Sequence, residues 1–81
     1  MSTLEEIIAG MLSLLLVKPV SPGDNVSMQS DQDWDSIKHI EIIMAMEERF
    51  GISFAPGDIP GLTTQKLLED KIRELSLERS A

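Results

Sequence analysis

The sequence predicts a small all-α domain built from three main helices and one short helix. In three segments, apolar residues recur every three or four positions, which is the spacing of an amphipathic helix. No segment alternates apolar and polar residues as a half-buried strand does. The 81 residues are expected to form a single domain, 1–81, and the 42% that are hydrophobic are enough for one compact core.

The first helix is predicted to begin at a capping box and to end before a proline. Thr3 is the expected N-cap and Glu6 reaches back to it, while Pro19 stops the helix near Val17. The apolar run from Ile7 to Val17 resembles a signal-peptide core, but acidic residues precede it and it is too short to span a bilayer. We therefore expect a core helix in a cytoplasmic protein without membrane insertion.

The second helix follows a long connection, residues 18–34, that is rich in Pro, Ser, Gly, Asp and Asn. A connection this long in a small domain is commonly functional, or it crosses the length of a bundle. We expect the helix to start at Asp35 or Ser36 and to run to Phe50, with Gly51 as its C-cap.

The remaining chain is predicted to hold a connector, one short turn and a last helix. Ile52 and Phe54 anchor the connector, and residues 58–61 allow at most one helical turn. Thr63 or Thr64 can cap the last helix, which is expected to fray after Leu77. Its inward side chains are expected to be Leu67, Leu68, Ile72 and Leu75.

The composition excludes several classes of protein. A formal net charge of −7 and a pI near 4.4 disfavour binding to nucleic acid and to anionic membranes. No cysteine is present, which removes disulfides, thiolate catalysis and cysteine-ligated zinc. Six of the seven excess negative charges lie in residues 1–50, so a basic partner would be steered to that part of the chain.

The second helix carries two apolar stripes on nearly opposite sides. One stripe is the predicted core face and consists of His39, Ile42, Ile43, Met46 and Phe50. The other, which we call the outer stripe, consists of Ile37, Ile40 and Met44, interleaved with Glu41, Glu47 and Glu48. An apolar stripe mixed with carboxylates indicates a surface for a partner. The alternative is a solvated face with ordinary exposed apolar residues.

Asp35 and Ser36 stand where the acidic connection meets this helix, and either could be the N-cap. If Asp35 caps, the Ser36 hydroxyl faces solvent at a helix N-terminus, which favours a phosphate and makes Ser36 a candidate for a phosphoester. His39 lies within helical reach of Ser36, but no nucleophile-elbow motif supports a hydrolase. Asp31, Asp33 and Asp35 lack the glycine and the closing glutamate of a calcium loop.

The segment from Asp35-Ser36-Ile37 to Phe50-Gly51-Ile52 resembles the acyl carrier protein family. In that family an Asp-Ser-Leu motif opens the second helix, and an acidic, apolar sequence ending in Glu-Glu-x-Phe follows. The length, the acidity and the Thr63-Thr64 start of the last helix also fit, and the resemblance covers essentially the whole chain.

The resemblance implies a non-enzymatic carrier with a four-helix bundle fold. A 4′-phosphopantetheine arm would be attached to Ser36, and its thiol would carry an acyl group as a thioester. The surface read by partner enzymes would comprise Asp35, Ile37, Ile40, Glu41, Met44, Glu47 and Glu48. The space for an acyl chain would be lined by Ile43, Met46, Phe50, Ile52, Phe54 and Leu62.

The implied partners of this monomer are a phosphopantetheinyl transferase together with acyl-activating, acyltransferase and ketosynthase-type enzymes that present basic docking patches. Four positions depart from the family pattern, namely Trp34, Ile37, Lys38 and His39. Trp34 and Lys38 are expected to alter which enzymes dock, which indicates a specialised carrier in fatty-acid, polyketide or related lipid synthesis. A carrier of an amino acid or other small acid, and an unmodified helical interaction module, are the alternatives.

Overall fold

The computed structural model describes residues 3–80, with side chains described as far as residue 77. Three α-helices follow one another: α1, Leu4–Leu16; α2, Ser36–Phe50; and α3, Gln65–Ser80. Within residues 3–80, one 3₁₀ turn, Ile59–Gly61 (the 59–61 turn), precedes α3. Residues 3–80 contain no strand, and one isolated bridge pairs Ser27 with Thr64. The predicted all-α bundle with three main helices and one short helix is confirmed.

The ends of α1 are set by local signals that the sequence displays. Thr3 accepts a hydrogen bond from the backbone of Glu6, and the Glu6 carboxylate accepts one from the backbone of Thr3, which completes the capping box. Val17 ends the helix in the left-handed conformation, with φ 56°. A β-branched residue is strained there, because its Cβ crowds the following carbonyl.

The start of α2 resolves the alternative left by the sequence, because Asp35 is the N-cap and Ser36 is the first helical residue. The Asp35 carboxylate accepts a hydrogen bond from the Lys38 backbone N–H at 2.8 Å. At the other end, Gly51 takes a left-handed conformation with φ 64°, which costs glycine little because it lacks a Cβ.

One apolar core joins the three helices. Ile8 and Leu12 of α1, Ile42 and Met46 of α2, and Ile72 of α3 are all fully buried. Among the described residues, no helix is long and apolar enough to cross a membrane.

The long connection 18–34 is tied to the start of α3 by Gln65, whose side chain is fully buried. The Gln65 amide oxygen accepts from the Val26 N–H at 3.1 Å, and its nitrogen donates to the Ser21 carbonyl at 3.0 Å. The backbone of Gln65 also donates to the Val26 carbonyl at 2.8 Å. These bonds fix the course of the connection that leads into α2.

One expectation for α3 is wrong. Leu67 is not inward but 44% exposed, because the inner face of α3 includes the polar residues Gln65 and Glu69 as well as Leu68. The helix extends to Ser80, and no proline or glycine interrupts it. Thr64 is the residue that caps it, accepting from the Leu67 N–H at 3.1 Å.

Candidate functional site

Ser36 lies exposed at the N-terminus of α2. Because Asp35 fills the capping position, the Ser36 hydroxyl is not needed there, and among the described residues it has no hydrogen-bond partner. The first turn of α2 contains no acidic residue, and the carboxylate that lies beside it is that of the capping Asp35. Backbone N–H groups at a helix start and the positive end of the helix dipole both favour a phosphate.

His39, one turn beyond Ser36, is buried and engaged through both ring nitrogens. The Trp34 indole N–H donates to His39 Nδ1 at 3.0 Å. An indole nitrogen is only a donor, so Nδ1 must be the acceptor and the proton of the neutral ring sits on Nε2. Nε2 therefore donates to the carbonyl of Ile59 at 2.8 Å. His39 has no free nitrogen with which to act as a base toward Ser36.

Trp34 was expected to alter which enzymes dock, and the structure shows that its side chain does not lie on the surface. The indole is only 1% exposed and stacks on His39 with 6.0 Å between ring centroids. A partner enzyme cannot touch a side chain that is buried to this degree.

The outer stripe is exposed as expected, with Ile37 at 72%, Ile40 at 59% and Met44 at 62%. These are among the most exposed large apolar side chains of the described residues. Monomeric proteins rarely expose contiguous apolar patches without a use for them. The placement therefore agrees with a surface kept for a partner.

The acidic residues expected around the outer stripe differ in how exposed their carboxylates are and in whether those carboxylates are already bonded within the protein. Asp35 and Glu48 are exposed, whereas Glu41 forms a 3.0 Å salt bridge with Lys38, which offsets its charge. Glu47 is half-buried, and its carboxylate accepts from the Phe54 N–H at 2.8 Å. Glu47 thus fixes the connector after α2, a structural role that the sequence pattern did not indicate.

The residues expected to line an acyl-chain space lie together in the core. Five of them are at most 7% exposed and Phe50 is half-buried, with the Arg49 guanidinium 5.5 Å from its ring centroid. The buried members are Ile43, Met46, Ile52, Phe54 and Leu62.

Sequence reasoning missed the ion pair that braces the connection before Ser36. Lys18 Nζ lies 2.7 Å from the buried Asp31 carboxylate. The hydrogen bond from Lys18 holds the pKa of Asp31 below its usual range, and the same bond raises the pKa of Lys18. Thirteen residues separate the partners, and no local pattern announces such a pair.

No protein-family model matches the chain. Among curated proteins, a meromycolate extension acyl carrier protein from Mycolicibacterium smegmatis is 31% identical over 67 residues. The match covers 78% of this chain and 68% of that relative. Identity at this level over most of both chains shows the family, and the all-helical bundle fits it. The chain belongs to the acyl carrier protein family and is a carrier protein, not an enzyme.

Proposed function

We propose that this protein carries an acyl group as a thioester on a 4′-phosphopantetheine arm joined to the Oγ of Ser36. The observation that carries the proposal is the start of α2, where Asp35 fills the cap and leaves the exposed Ser36 hydroxyl without a structural bond. When attached, the arm supplies the thiol that a chain without cysteine lacks.

The residues around Ser36 fit a phosphodiester at this position. The helix start offers partial positive charge, the Asp35 carboxylate is turned into the cap by its bond to the Lys38 N–H, and the Lys38 ammonium is held by Glu41. No described side chain covers the hydroxyl, which leaves a modifying enzyme free access to it.

The recognition surface in this proposal is the outer stripe with the acids around it. Its apolar members are exposed by more than half, and acidic residues beside them would attract basic patches on partner enzymes. Docking of this kind is weakened by salt, which suits a carrier that must leave each enzyme quickly. The proposed surface comprises Asp35, Ile37, Ile40, Glu41, Met44, Glu47 and Glu48.

The proposed cargo is an apolar acyl chain of a specialised lipid pathway. The Mycolicibacterium relative is named for meromycolate extension, and the inner residues of α2 with their partners form an apolar interior in which such a chain could be held. The proposed partners are a phosphopantetheinyl transferase and the acyl-activating, acyltransferase and ketosynthase-type enzymes of that pathway. We place the protein in the cytoplasm as a single-domain monomer.

The test is enzymatic attachment of the arm. Incubation with coenzyme A and a broad-specificity phosphopantetheinyl transferase is expected to raise the intact mass by one arm. Ser36→Ala is expected to abolish the shift, whereas Ser53→Ala, which changes another exposed serine, is expected to keep it. An unmodified wild-type protein after trials with several such transferases, or a shift in Ser36→Ala, would contradict the proposal.

A further inference from the structure

A pocket of about 250 Å³ lies where the connection 18–34 crosses the start of α3. Its walls come from the connection and from α3, whereas Ser36 belongs to α2. A pocket of this size suits a small molecule of a few heavy atoms, since drug-sized ligands occupy larger clefts. The lining residues are Pro22, Gly23, Asn25, Gln65, Lys66 and Glu69.

Hydrogen bonds join the two walls of this pocket. The Asn25 side-chain oxygen accepts from the Lys66 backbone N–H at 2.9 Å. The Gln65 side chain donates to the Ser21 carbonyl at 3.0 Å and accepts from the Val26 N–H at 3.1 Å. Because these bonds fix the connection against the first turn of α3, the pocket is a built part of the fold.

The start of α3 lines the pocket, but its backbone N–H groups are already used. The first four of them donate to groups of Val26, Asn25 and Thr64, at 2.8–3.1 Å. A helix N-terminus attracts an anion through N–H groups that lack a partner. Since these four have partners, the helix start gives the pocket little attraction for an anion.

Glu69 is the lining residue whose hydrogen-bonding capacity is not met. It is 8% exposed, and its Oε2 is buried without a hydrogen-bond partner in the described part of the chain. The basic side chains one turn away on α3 are engaged by other acids. Arg73 pairs with Glu5 and Asp70, and Lys66 Nζ lies 3.8 Å from Asp70. A buried carboxylate without a partner is costly, so a ligand that donates to it is favoured.

We propose that this pocket binds the primary ammonium group of a small alkylamine, with the Glu69 carboxylate as its acceptor. An ammonium group supplies both the positive charge and the N–H donors that this carboxylate lacks. The Pro22 ring and the methylene groups of Gln65 offer apolar contact to a short alkyl chain. A divalent metal ion suits the site less, because it takes several oxygen ligands and Glu69 supplies the one carboxylate of the lining. The site does not depend on the arm at Ser36 and goes beyond the proposed function.

The experiment titrates the full ¹⁵N-labelled chain with butylammonium chloride near neutral pH and follows the backbone amide chemical shifts. We expect saturable shifts at residues 22–25 and 65–69. Tetramethylammonium chloride carries the same charge without an N–H donor, and we expect it to bind at least about tenfold more weakly, the factor that a charge-assisted hydrogen bond supplies. Equal binding of the two salts, or no saturable shift with butylammonium, would overturn the proposal.

Glu69→Gln removes the negative charge at nearly constant size and is expected to weaken butylammonium binding at least about tenfold. Glu74→Gln, which removes an exposed carboxylate of the same helix, is the matched control and is expected to keep the wild-type affinity. Unchanged affinity in Glu69→Gln, or an equal loss in the control, would contradict the site.

Glu69→Asp provides a second variant if Glu69→Gln fails to fold, as judged by circular dichroism. It keeps the charge and withdraws the carboxylate from the pocket by one methylene. Butylammonium is then expected to bind more weakly than in the wild type, because the ammonium group can no longer reach the carboxylate from the same position. An affinity equal to that of the wild type would count against Glu69 as the acceptor.

Discussion

Replacing Gln65 by Met tests whether one buried amide holds the connection that leads into α2. Methionine has a similar length and an unbranched side chain, so apolar packing is largely kept while the hydrogen bonds to Val26 and Ser21 are lost. The backbone bond from residue 65 to the Val26 carbonyl remains. The substitution therefore isolates the side-chain amide.

The magnitude follows from what each partner can do after the change. Ser21 is exposed, so its carbonyl can bond to water, whereas Val26 is half-buried and its N–H loses its partner. An unsatisfied buried donor costs about 1–3 kcal/mol, and we expect a loss of about 2 kcal/mol. For a domain of this size that loss lowers the melting temperature by roughly 10 °C.

The assay is urea unfolding followed by the fluorescence of Trp34, the single tryptophan of the chain. Trp34 ends the connection that Gln65 anchors, so its signal reports on this region directly. Gln32→Met, at an exposed position of the same connection, is the matched control and is expected to change stability by less than about 0.5 kcal/mol. A loss in Gln65→Met no larger than in the control would refute the anchoring role.

Three further predictions concern strain, burial and docking. Val17→Gly is expected to stabilise the fold by about 1 kcal/mol in thermal unfolding by relieving the left-handed strain, while Val17→Ala, which keeps a Cβ, should bring little gain. Burial, and to a lesser degree the charge of Glu5, raises the pKa of Glu69, whose Oε2 has no partner among the described side chains. Its stabilising contribution is therefore present at acid pH and lost as the pH rises through the folded-state pKa. Glu69→Gln is accordingly expected to raise the urea midpoint near neutral pH and to leave it unchanged at acid pH; a gain of equal size at both would contradict the assignment. Reversing the two exposed charges in the double variant Glu41→Lys, Glu48→Lys is expected to weaken transfer of the arm to the protein without lowering the melting temperature. Full activity of this variant would show that the two acids are not part of the recognition surface.

Local signals explain why most of the helical architecture could be predicted. The capping box at Thr3, the glycine at position 51 and the proline at position 19 act within a few residues, so the printed sequence reveals them. The two stripes of α2 are periodic, and the structure places one in the core and the other in solvent. The spacing of apolar residues therefore predicted the buried face of a helix correctly where the buried residues are themselves apolar.

Prediction failed where polar groups are buried by partners far along the chain. Gln65 and Glu69 occupy the inner face of α3. A prediction based only on the apolar residues therefore placed Leu67 on that face, although Leu67 is exposed. Trp34, whose role the sequence left open, is also buried, with its indole N–H bonded to His39. Such positions depend on contacts in three dimensions, which no spacing along the sequence encodes.

The central claim is that Ser36 bears the arm and that the arm carries an acyl chain. Protein purified from its own cells, digested and fragmented in a mass spectrometer, tests both parts at once. We predict that the peptide containing Ser36 carries a 4′-phosphopantetheine group esterified at its thiol with an apolar acyl chain. An unmodified Ser36 in that peptide, or the arm on any other residue, would contradict the account.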